Sequence, residues 1–414
     1  MNQKKATSSG NRVVNAVFWS VVSGSSTKLF DFVVTLFLAR LLTPADFGLV
    51  ALVTIYITLG NLFVQGGFSQ AIIQREEIDD LHLDTAFWTN VAIGVTLTVS
   101  TMIFGPSAFE YLFDEGRLED IVKVASVLFT FAALQGVQQA LLTRKLAFKQ
   151  LAIRRAGGSI AGGIVAVILA IRGFGVWSLV ALHVTSSLTR LILLWIVGRW
   201  RPRLRFSTLH FHQLFSFGMH VVGKQLLEFA NSRGINLFIG LFLGTTALGY
   251  FVLANRIVLS LLDLITNSIQ SVAFPVFSRL QNSRSRLVDA LYKAVRFTGV
   301  ISVPTFLGLA SVAALVVSIL LGPKWASSVP VLQLLCIAGM LNSVYRYMNS
   351  IMLSCGKSDW VLSINVMQVI VGYSVFFLVV DSGIVAVAAA RVATGYLLAP
   401  VSFVAVHWLI KYSY

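Results

Sequence analysis

Apolar stretches of roughly 20 residues, separated by short polar breaks, recur along the whole chain and limit its fold more than any other feature. A helix of about 20 residues spans the ~30 Å hydrocarbon core of a bilayer. Backbone polar groups in lipid must be satisfied inside the protein, so these stretches predict an all-α integral membrane protein with about twelve transmembrane helices. The stretches cover residues 14–41, 46–67, 84–105, 120–141, 152–171, 175–197, 212–243, 246–272, 292–321, 328–353, 360–380 and 383–409.

The composition excludes the soluble classes of protein. Hydrophobic residues make up 57% of the chain and charged residues only 12%, with a mean hydropathy of +0.82, whereas soluble domains carry about 25% charged residues. Cys336 and Cys355 lie in apolar stretches, which argues against a disulfide framework. His210 and His212 have the spacing of a metal pair but lack a carboxylate or thiol neighbour in sequence, so we expect no metal site and no cofactor.

The distribution of basic residues predicts the orientation in the membrane. With the N-terminus inside, twenty of the twenty-five basic residues in the loops, the termini and the ends of the stretches, Arg154 and Arg155 among them, lie on the cytoplasmic side. Both termini are therefore expected in the cytoplasm. The formal charge of +15 then reflects topology. We expect anionic lipid headgroups as partners and no nucleic acid, because the chain lacks a polar domain on which basic residues could gather.

A basic connector, RWRPRLRFS at 199–207, lies at the midpoint of the chain and predicts two halves. Shifting the first half by 201 residues sets 36–53 beside 237–254 with five identities in eighteen positions. Duplicated halves commonly place a transport site at their interface. We therefore expect a cytoplasmic basic N-terminus at 1–12, a first six-helix bundle at 13–198, a connector at 199–211 and a second six-helix bundle at 212–414.

Charged residues inside the predicted helices are the candidates for function. Each costs roughly 2.5–3.5 kcal/mol to insert, so such residues face the protein interior, pair with one another or line a wet cavity. Among those that lie more than five residues from a stretch end, seven are basic and three acidic, and the excess of cations suits an anionic substrate. The basic ones are Lys28, Arg190, Lys224, Arg233, Arg256, Arg346 and Arg391, and the acidic ones are Asp31, Glu228 and Asp263.

Two interpretations of these charges remain open. Lys224 and Glu228 are four residues apart, and the spacings of Lys28 with Asp31 and of Arg256 with Asp263 also keep each set on one helical face. Such pairs are either structural ion pairs or parts of a binding cavity. Arg190 and Arg391 lie near the ends of their stretches and are expected to extend toward the membrane surface. The substrate-binding candidates are therefore Lys28, Lys224, Arg233, Arg256 and Arg346.

Several sequence blocks resemble one known family, the polysaccharide (Wzx-type) flippases of the multidrug/oligosaccharidyl-lipid/polysaccharide exporter superfamily. The blocks are LARLLTPADFGLVAL (38–52), QAIIQR (70–75), TAFWTN (85–90), RKLAFKQLA (144–152), GFGVWSLV (173–180), RWRPRLRFS (199–207), FSFG (215–218), IGLFLGTTALGYFVLANRI (239–257), FPVFSRLQ (274–281) and LGPKW (321–325). The resemblance covers nearly the whole chain. Within the family, the chain is similar to the Wzx-type exporters of colanic-acid and teichuronic-acid systems. The resemblance implies two pseudo-symmetric six-helix bundles around a central cavity.

The resemblance also implies the activity. The chain is expected to move undecaprenyl-diphosphate-linked oligosaccharide from the inner to the outer leaflet of a bacterial inner membrane, for exopolysaccharide, O-antigen or capsule synthesis, alongside other polysaccharide assembly proteins. Asn231, Asn236 and Asn255 would meet sugar hydroxyls in the cavity. Asp31, Glu228 and Asp263 are candidates for coupling to a H⁺ or Na⁺ gradient, with the membrane potential as a further driving force. Many relatives carry an Asp just before the IG of the seventh helix, where this chain has Gly-Ile-Asn at 234–236.

Two other functions are alternatives. A cation-coupled multidrug exporter of the same superfamily should show unmatched acids in its cavity, whereas here the excess is basic. A membrane-embedded glycan polymerase or ligase, which would be an enzyme, should carry a sizeable outer loop with catalytic residues, and the outer loop near 110–120 is short and acidic. A transporter without enzymatic activity is the favoured prediction.

The charge asymmetry generates a topology test. A cysteine placed in the connector 199–207 should lie in the cytoplasm, because the connector is one of the most basic segments of the chain. It should therefore resist a membrane-impermeant thiol reagent in intact spheroplasts and react after permeabilisation. Labelling in intact spheroplasts would contradict the twelve-helix topology with a cytoplasmic N-terminus.

Overall fold

The computed structural model describes residues 27–281 and 283–412, apart from the side chains of 267–272 and 410–412. Within these ranges the protein is helical almost throughout and has no strand, which confirms the predicted fold class. The helices are α1 (27–41), α2 (Pro44–Gln65), α3 (Phe68–Gln74), α4 (Asp80–Phe113), α5 (Arg117–Ala125), α6 (Val127–Arg144), α7 (Phe148–Ile171), α8 (Val176–Val197), α9 (Thr208–Phe229), α10 (Ile235–Leu280), α11 (Arg284–Ser311), α12 (Ala313–Leu320), α13 (Val329–Ser354), α14 (Ser358–Val379) and α15 (Ile384–Tyr412). A π-helical turn, Ala230–Gly234, joins α9 to α10, and short 3₁₀ turns precede α13 and α15.

Ten helical segments in the described ranges are long and apolar enough to cross a bilayer. One of them, Thr208–Thr266, covers two of the predicted stretches. Gly244 divides it, because its backbone adopts φ 81° and ψ 174°, which a helix cannot accommodate and which glycine tolerates. The first predicted stretch lies partly outside the described residues. The chain is therefore a multi-pass membrane protein, and the count of twelve helices stays a prediction.

The start of α2 shows how local sequence signals set the helix boundaries. Thr43 accepts a hydrogen bond from the backbone N–H of Asp46 at 3.3 Å, and the Asp46 carboxylate accepts one from the Thr43 backbone N–H at 3.0 Å. This reciprocal capping box, with Pro44 at the first helical position, satisfies backbone donors that a helix leaves free at its start. The helix ends at Gly66, which adopts the left-handed conformation typical of a terminating glycine.

The chain divides into two compact units, one extending to Phe229 and one comprising 230–414. In the first unit, α7 and α8 pack closely through the small residues of α7. A side chain added at Gly158 or Gly162 would collide with backbone carbonyls of Ser186 or Leu182 in α8. Small residues at such crossings let membrane helices approach closely enough for extensive van der Waals contact.

The connector 199–207 is held against the first unit by hydrogen bonds to its backbone. The Trp88 indole donates to the Arg203 carbonyl at 2.8 Å, and the Asp84 carboxylate accepts from the Arg203 N–H at 2.9 Å. Gln138 donates to the Trp200 carbonyl at 2.6 Å. These bonds bring α9, which follows the connector, into the first unit, where Leu214 is fully buried beside α3 and α4.

The boundary between the two compact units therefore lies at a different residue from the predicted boundary between the two bundles. The sequence placed the boundary in the connector 199–211, whereas the contacts place it at Phe229 and Ala230. The physical reason is the anchoring of the connector, which the count of basic residues does not reveal. The assignment of helices to two six-helix bundles stays a prediction.

The second unit is built around α11, α13 and α15. Tyr347, Met348 and Ile351 of α13 form the centre of its apolar core. Polar side chains within this unit pair with one another, as between the hydroxyls of Thr298 and Tyr347 at 2.7 Å and those of Ser302 and Ser343 at 2.9 Å. Such pairing removes the cost of placing a hydroxyl where water is absent.

The contact between α9 and the α2–α3 turn yields a stability prediction. A Cβ at Gly218 would collide with the Gly66 carbonyl oxygen, and Gly67 approaches the same backbone. Gly218→Ala should therefore displace α9 and cost about 1–3 kcal/mol of folding free energy, as over-packing does in other cores. Thermal unfolding of the detergent-purified protein measures this cost. Gly223→Ala is the matched control on the same helix, because a Cβ there meets nothing within 4 Å; an equal loss of stability in both variants would contradict the close contact.

Candidate functional site

The second unit contains a polar cavity of about 480 Å³ between the π-helical turn and α10, α13, α14 and α15. We call it the amide cavity, because Asn and Gln side chains dominate its polar lining. Its volume lies within the 300–1,000 Å³ typical of sites for small molecules. The polar lining residues are Asn231, Ser232, Asn342, Tyr345, Arg346, Asn349, Asn365, Gln368, Arg391 and Thr394.

An ion pair holds the guanidinium group of the amide cavity in place. Arg346 Nη2 donates to Asp263 Oδ1 at 3.1 Å, and Arg346 Nη1 donates to the Thr266 hydroxyl at 3.0 Å. Both charged side chains are 29% exposed, so water screens the pair only in part. The pair joins α10 to α13 and balances the charge of Arg346, as expected for oppositely charged groups inside a membrane protein.

The other polar groups of the amide cavity suit hydroxyl-bearing ligands. The Tyr345 hydroxyl accepts hydrogen bonds from Gln368 at 2.6 Å and from Ser402 at 2.7 Å, which fixes its orientation. The Asn349 amide oxygen is shielded from solvent and has no hydrogen-bond partner. Because amides both donate and accept, a cavity lined by four Asn and one Gln can match the mixed donors and acceptors of a sugar.

The first unit contains a second cavity of about 460 Å³ between α2, α3, α6, α7 and α8. We call it the guanidinium cavity, after Arg154 and Arg190. Neither this lining nor that of the amide cavity includes Asp or Glu among the described residues. The polar lining residues are Thr58, Asn61, Gln65, Ser69, Gln70, Gln135, Gln139, Thr143, Arg154, His183, Ser187 and Arg190.

Hydrogen bonding in the guanidinium cavity is incomplete. Arg154 Nη2 donates to Gln139 at 2.9 Å, whereas its Nε and Nη1 are shielded from solvent and have no partner. The side-chain oxygens of Asn61 and Gln70 are shielded and unpartnered as well. Arg190 donates from Nε to the Ser186 carbonyl at 3.1 Å. Buried polar atoms without partners are rare in native proteins, and they point to a ligand or ordered water at the site.

The structure brings together only some of the residues that the sequence singled out. Asn231 and Arg346 line the amide cavity, with Asp263 behind Arg346. The remaining candidates line neither of the two cavities in the described part of the chain: Lys28, Lys224, Arg233 and Arg256 are exposed, Asn255 is half-buried and Asn236 is buried.

The acidic candidates all take part in polar contacts. Asp31 accepts a hydrogen bond from the Ser159 hydroxyl of α7. Glu228 lies 3.7 Å from the Lys224 ammonium in an exposed pair within α9, which is the contact that their spacing predicts. The role of these residues in ion coupling stays a prediction.

Sequence reasoning missed the guanidinium cavity. Arg154 was counted among the cytoplasmic basic residues, and Arg190 and Arg391 were expected to extend toward the membrane surface, yet each lines a cavity inside its own unit. A signal was present, because Arg190 and Arg391 are 201 positions apart, the same shift that aligns the two halves.

A separate cluster joins the start of α4 to the start of α9. Asp79 lies 2.7 Å from His82 Nδ1 and 3.6 Å from His210 Nε2, and the three side chains are close enough to share a metal ion. However, the Arg75 guanidinium is 2.9 Å from His82 Nε2, and its positive charge opposes a bound cation. We therefore interpret the cluster as a hydrogen-bonded cap of α4. His210 thus pairs with His82, and not with His212 as a metal pair would require.

The same cap makes Asp79 sensitive to pH. The backbone N–H of His82 donates to the Asp79 carboxylate at 2.8 Å and holds the pKa of Asp79 below its ordinary value, although desolvation acts in the opposite direction. A carboxylate whose pKa is lowered by folding stabilises the protein above its ordinary pKa, and this stabilisation is lost as the pH falls through the lowered value.

The ion pair of the amide cavity yields a double-mutant prediction. Asp263→Asn leaves the Arg346 guanidinium without its carboxylate in a partly desolvated place, so it should cost about 1–3 kcal/mol of stability. Adding Arg346→Gln should restore part of that loss, because no unpaired charge then remains. Thermal unfolding of the single variants and the double variant measures the coupling. Strictly additive losses would show that the pair is not a structural unit.

The chain is similar to curated proteins of polysaccharide biosynthesis. It is 29% identical over 328 residues to the succinoglycan biosynthesis transport protein ExoT of Rhizobium meliloti, covering 79% of this chain and 66% of ExoT. It is 27% identical over 361 residues to the lipopolysaccharide biosynthesis protein WzxC of Escherichia coli, covering 86% of this chain and 73% of WzxC. The chain thus spans about two thirds to three quarters of the length of these relatives.

Comparison with solved structures supports the fold. The lipid II flippase MurJ in an inward closed conformation matches 94% of this chain and 87% of its own with a TM-score of 0.79 and 14% identity. An inward-facing multidrug resistance MATE family transporter matches 93% of this chain and 94% of its own with a TM-score of 0.70 and 18% identity. The family model described as "Polysaccharide biosynthesis protein" matches residues 37–330. The chain is therefore a member of this polysaccharide biosynthesis family, with the transporter fold shared by MurJ and MATE proteins.

Proposed function

We propose that the protein is a flippase that moves a lipid-linked oligosaccharide across the bacterial inner membrane. The substrate class is an undecaprenyl-diphosphate-linked glycan destined for a cell-surface polysaccharide. The observation that carries the proposal is the pair of cavities, because each is lined by arginine and amide side chains within membrane-spanning helices of a polysaccharide biosynthesis protein. Guanidinium groups bind phosphate and carboxylate oxygens, and amides bind sugar hydroxyls.

The diphosphate link needs several cationic donors. Lys28, Lys224 and Arg256 are the proposed grip, because all three side chains are exposed to an approaching anionic ligand. Lys224 and Arg256 lie in the candidate membrane-spanning segment Thr208–Thr266. Lys224 is 73% exposed and its carboxylate partner Glu228 is 3.7 Å away, so the ammonium keeps free donors for a ligand. Arg233, on the π-helical turn, and the amides of Asn236 and Asn255 extend the proposed grip along the same segment of chain.

The membrane potential can drive this movement. A diphosphate link carries about two negative charges, and each moved outward across an inside-negative membrane gains roughly 2.3 kcal/mol per 100 mV. The cationic site must then return empty, and binding of H⁺ or Na⁺ near Asp31, Glu228 or Asp263 would ease that step. Asp263 is the least available of the three, since Arg346 already occupies one of its oxygens.

The two competing functions fit less well. A drug exporter that moves cations needs free carboxylates in its cavities, and the described cavities are lined by arginines and amides. A polymerase or ligase needs catalytic groups outside the membrane. In the outer segment near 110–120, Glu115 is paired with Arg117 at 2.9 Å in a tight turn between α4 and α5, which offers no catalytic arrangement.

The proposal extends to the setting of the protein. Both termini would lie in the cytoplasm, where lipid-linked glycans are assembled, and the protein would act with other polysaccharide assembly proteins and with anionic lipids.

Deletion of the gene should cause lipid-linked glycan to accumulate on the cytoplasmic leaflet. This glycan is measured as the fraction that a membrane-impermeant glycosidase cannot cleave in sealed right-side-out vesicles. Glycan that still reaches the outer leaflet at a normal rate would contradict the flippase assignment.

Neutral replacements test the proposed grip. Lys28→Met, Lys224→Met and Arg256→Gln should each lower export at least about tenfold at nearly normal membrane abundance, because each removes a charge-assisted contact worth roughly 1.5–3 kcal/mol. Lys293→Met is the matched control, since Lys293 is 74% exposed and pairs with Asp289 four residues earlier, as Lys224 pairs with Glu228 four residues later. Export is measured as surface polysaccharide in a deletion strain. Normal export from all three variants, or an equal loss in the control, would remove the proposed grip.

A further inference from the structure

We propose that the guanidinium cavity of the first unit binds a carboxylate-bearing sugar residue of the transported glycan. The inference rests on the proposed flippase function and deepens it, because it names a substrate class, the acidic glycans. It also separates two recognition tasks. Residues outside this cavity hold the diphosphate, and the cavity binds a charged group of the glycan itself.

The charge around the cavity matches one negative group. Arg154 and Arg190 line it and lie close enough to repel each other. Asp31 attracts Arg190 electrostatically and offsets one of the two charges. The third guanidinium nearby, that of Arg155, is on the exposed side of α7 and is not part of the cavity lining. One positive charge thus remains uncompensated, which suits a carboxylate better than a diphosphate with about two negative charges.

The unsatisfied donors show where the carboxylate would bind. Arg154 keeps two nitrogens, Nε and Nη1, shielded from solvent and without partners. An unpaired cation in such a place is costly unless an anion joins it during the working cycle. Guanidinium groups bind carboxylates with short, charge-assisted hydrogen bonds. The Gln139 contact at 2.9 Å holds the third nitrogen and fixes the orientation of the group.

The remaining lining is suited to a sugar ring and not to a simple anion. Asn61 and Gln70 present shielded, unpartnered amide oxygens, which can accept hydrogen bonds from hydroxyl groups. Gln135, Ser187 and His183 add further lining groups that can act as donors or acceptors. A cavity of about 460 Å³ is large enough for small molecules of this kind. A ring that carries both hydroxyls and one carboxylate fulfils these demands together.

The amide cavity of the second unit provides the contrast. It has two arginines, Arg346 and Arg391, and neither has a solvent-shielded nitrogen without a hydrogen-bond partner. Arg346 is in addition neutralised by Asp263 at 3.1 Å. The amide cavity therefore lacks the shielded, unpartnered guanidinium nitrogens that Arg154 presents in the first unit. Of the two cavities, we expect selectivity for acidic sugars only in the guanidinium cavity.

Direct binding tests the inference on the purified full chain in phosphatidylcholine nanodiscs. The probes are trigalacturonate, maltotriose as a neutral trisaccharide and inorganic pyrophosphate, each titrated by calorimetry. Wild type should bind trigalacturonate at least tenfold more tightly than maltotriose. Arg154→Gln and Arg190→Gln should each weaken trigalacturonate binding about tenfold and leave maltotriose binding unchanged. Arg155→Gln is the matched control on the same helix and should change the affinity less than threefold.

Several results would overturn the inference. Equal affinities for trigalacturonate and maltotriose would show that the cavity does not select for a carboxylate. An equal loss of trigalacturonate affinity in Arg155→Gln would show that the effect comes from the net charge of the protein and not from this cavity. Binding of pyrophosphate that depends on Arg154, without such binding of trigalacturonate, would assign the cavity to the diphosphate. Thermal unfolding separates misfolding from lost binding, because Arg154→Gln removes an unpaired cation and should unfold at the same or a higher temperature.

The failure of this inference differs from the failure of the flippase assignment. If trigalacturonate does not bind but deletion of the gene still causes lipid-linked glycan to accumulate inside, only the acidic-sugar site is lost. If glycan export is normal after deletion, the flippase function is lost whatever the binding data show. A transport comparison completes the test: in strains whose lipid-linked glycan carries or lacks a uronic acid, Arg154→Gln should reduce export of the acidic glycan alone. If Arg154→Gln reduced export of the acidic and the neutral glycan equally, the cavity would not be a site for the carboxylate.

Discussion

The absence of water from the bilayer interior is the constraint on which the rest of this structure depends. It forces the backbone into helices, because only a helix satisfies its own N–H and C=O groups segment by segment. It acts on side chains as well, since each buried hydroxyl or charge needs a partner within the protein. Thr98, whose hydroxyl contacts the Gly94 and Ser126 carbonyls and the Thr130 hydroxyl, shows how fully such a group is satisfied where no ligand is intended.

Against this background the unsatisfied groups of the guanidinium cavity stand out. The amide cavity and the guanidinium cavity are similar in volume and both contain an arginine at the equivalent position of the duplication. They differ in how charge is balanced, because Arg346 has a carboxylate in direct contact and Arg154 has an amide. The two cavities thus differ in electrostatic character, which would allow a transporter to hold chemically different parts of one substrate.

The helices were predictable from the sequence, and the cavities were not. Apolar length identified the spans, and the break at Gly244 fell between two predicted stretches because glycine and the polar Thr245 interrupt the apolar run. Side-chain pairing across distant segments leaves no such local signal. The contact of Arg346 with Asp263 spans 83 positions, and the partner that spacing suggested for Asp263 was Arg256. Arg154 was not identified as a cavity residue, because a basic residue near a helix end looks the same in sequence whether it faces the cytoplasm or an internal cavity.

The anchored connector has a consequence for the biogenesis of the protein. Because α9 supplies Leu214 to the core of the first unit, that unit cannot complete its packing when the ribosome has synthesised only the segments before the connector. The nascent chain must insert one further helix, α9, before the packing of its first unit is complete. A natural or artificial division of the gene into two polypeptides would accordingly be tolerated best at the π-helical turn Ala230–Gly234, and a break in the connector would leave an apolar groove on the first product open to other nascent membrane proteins.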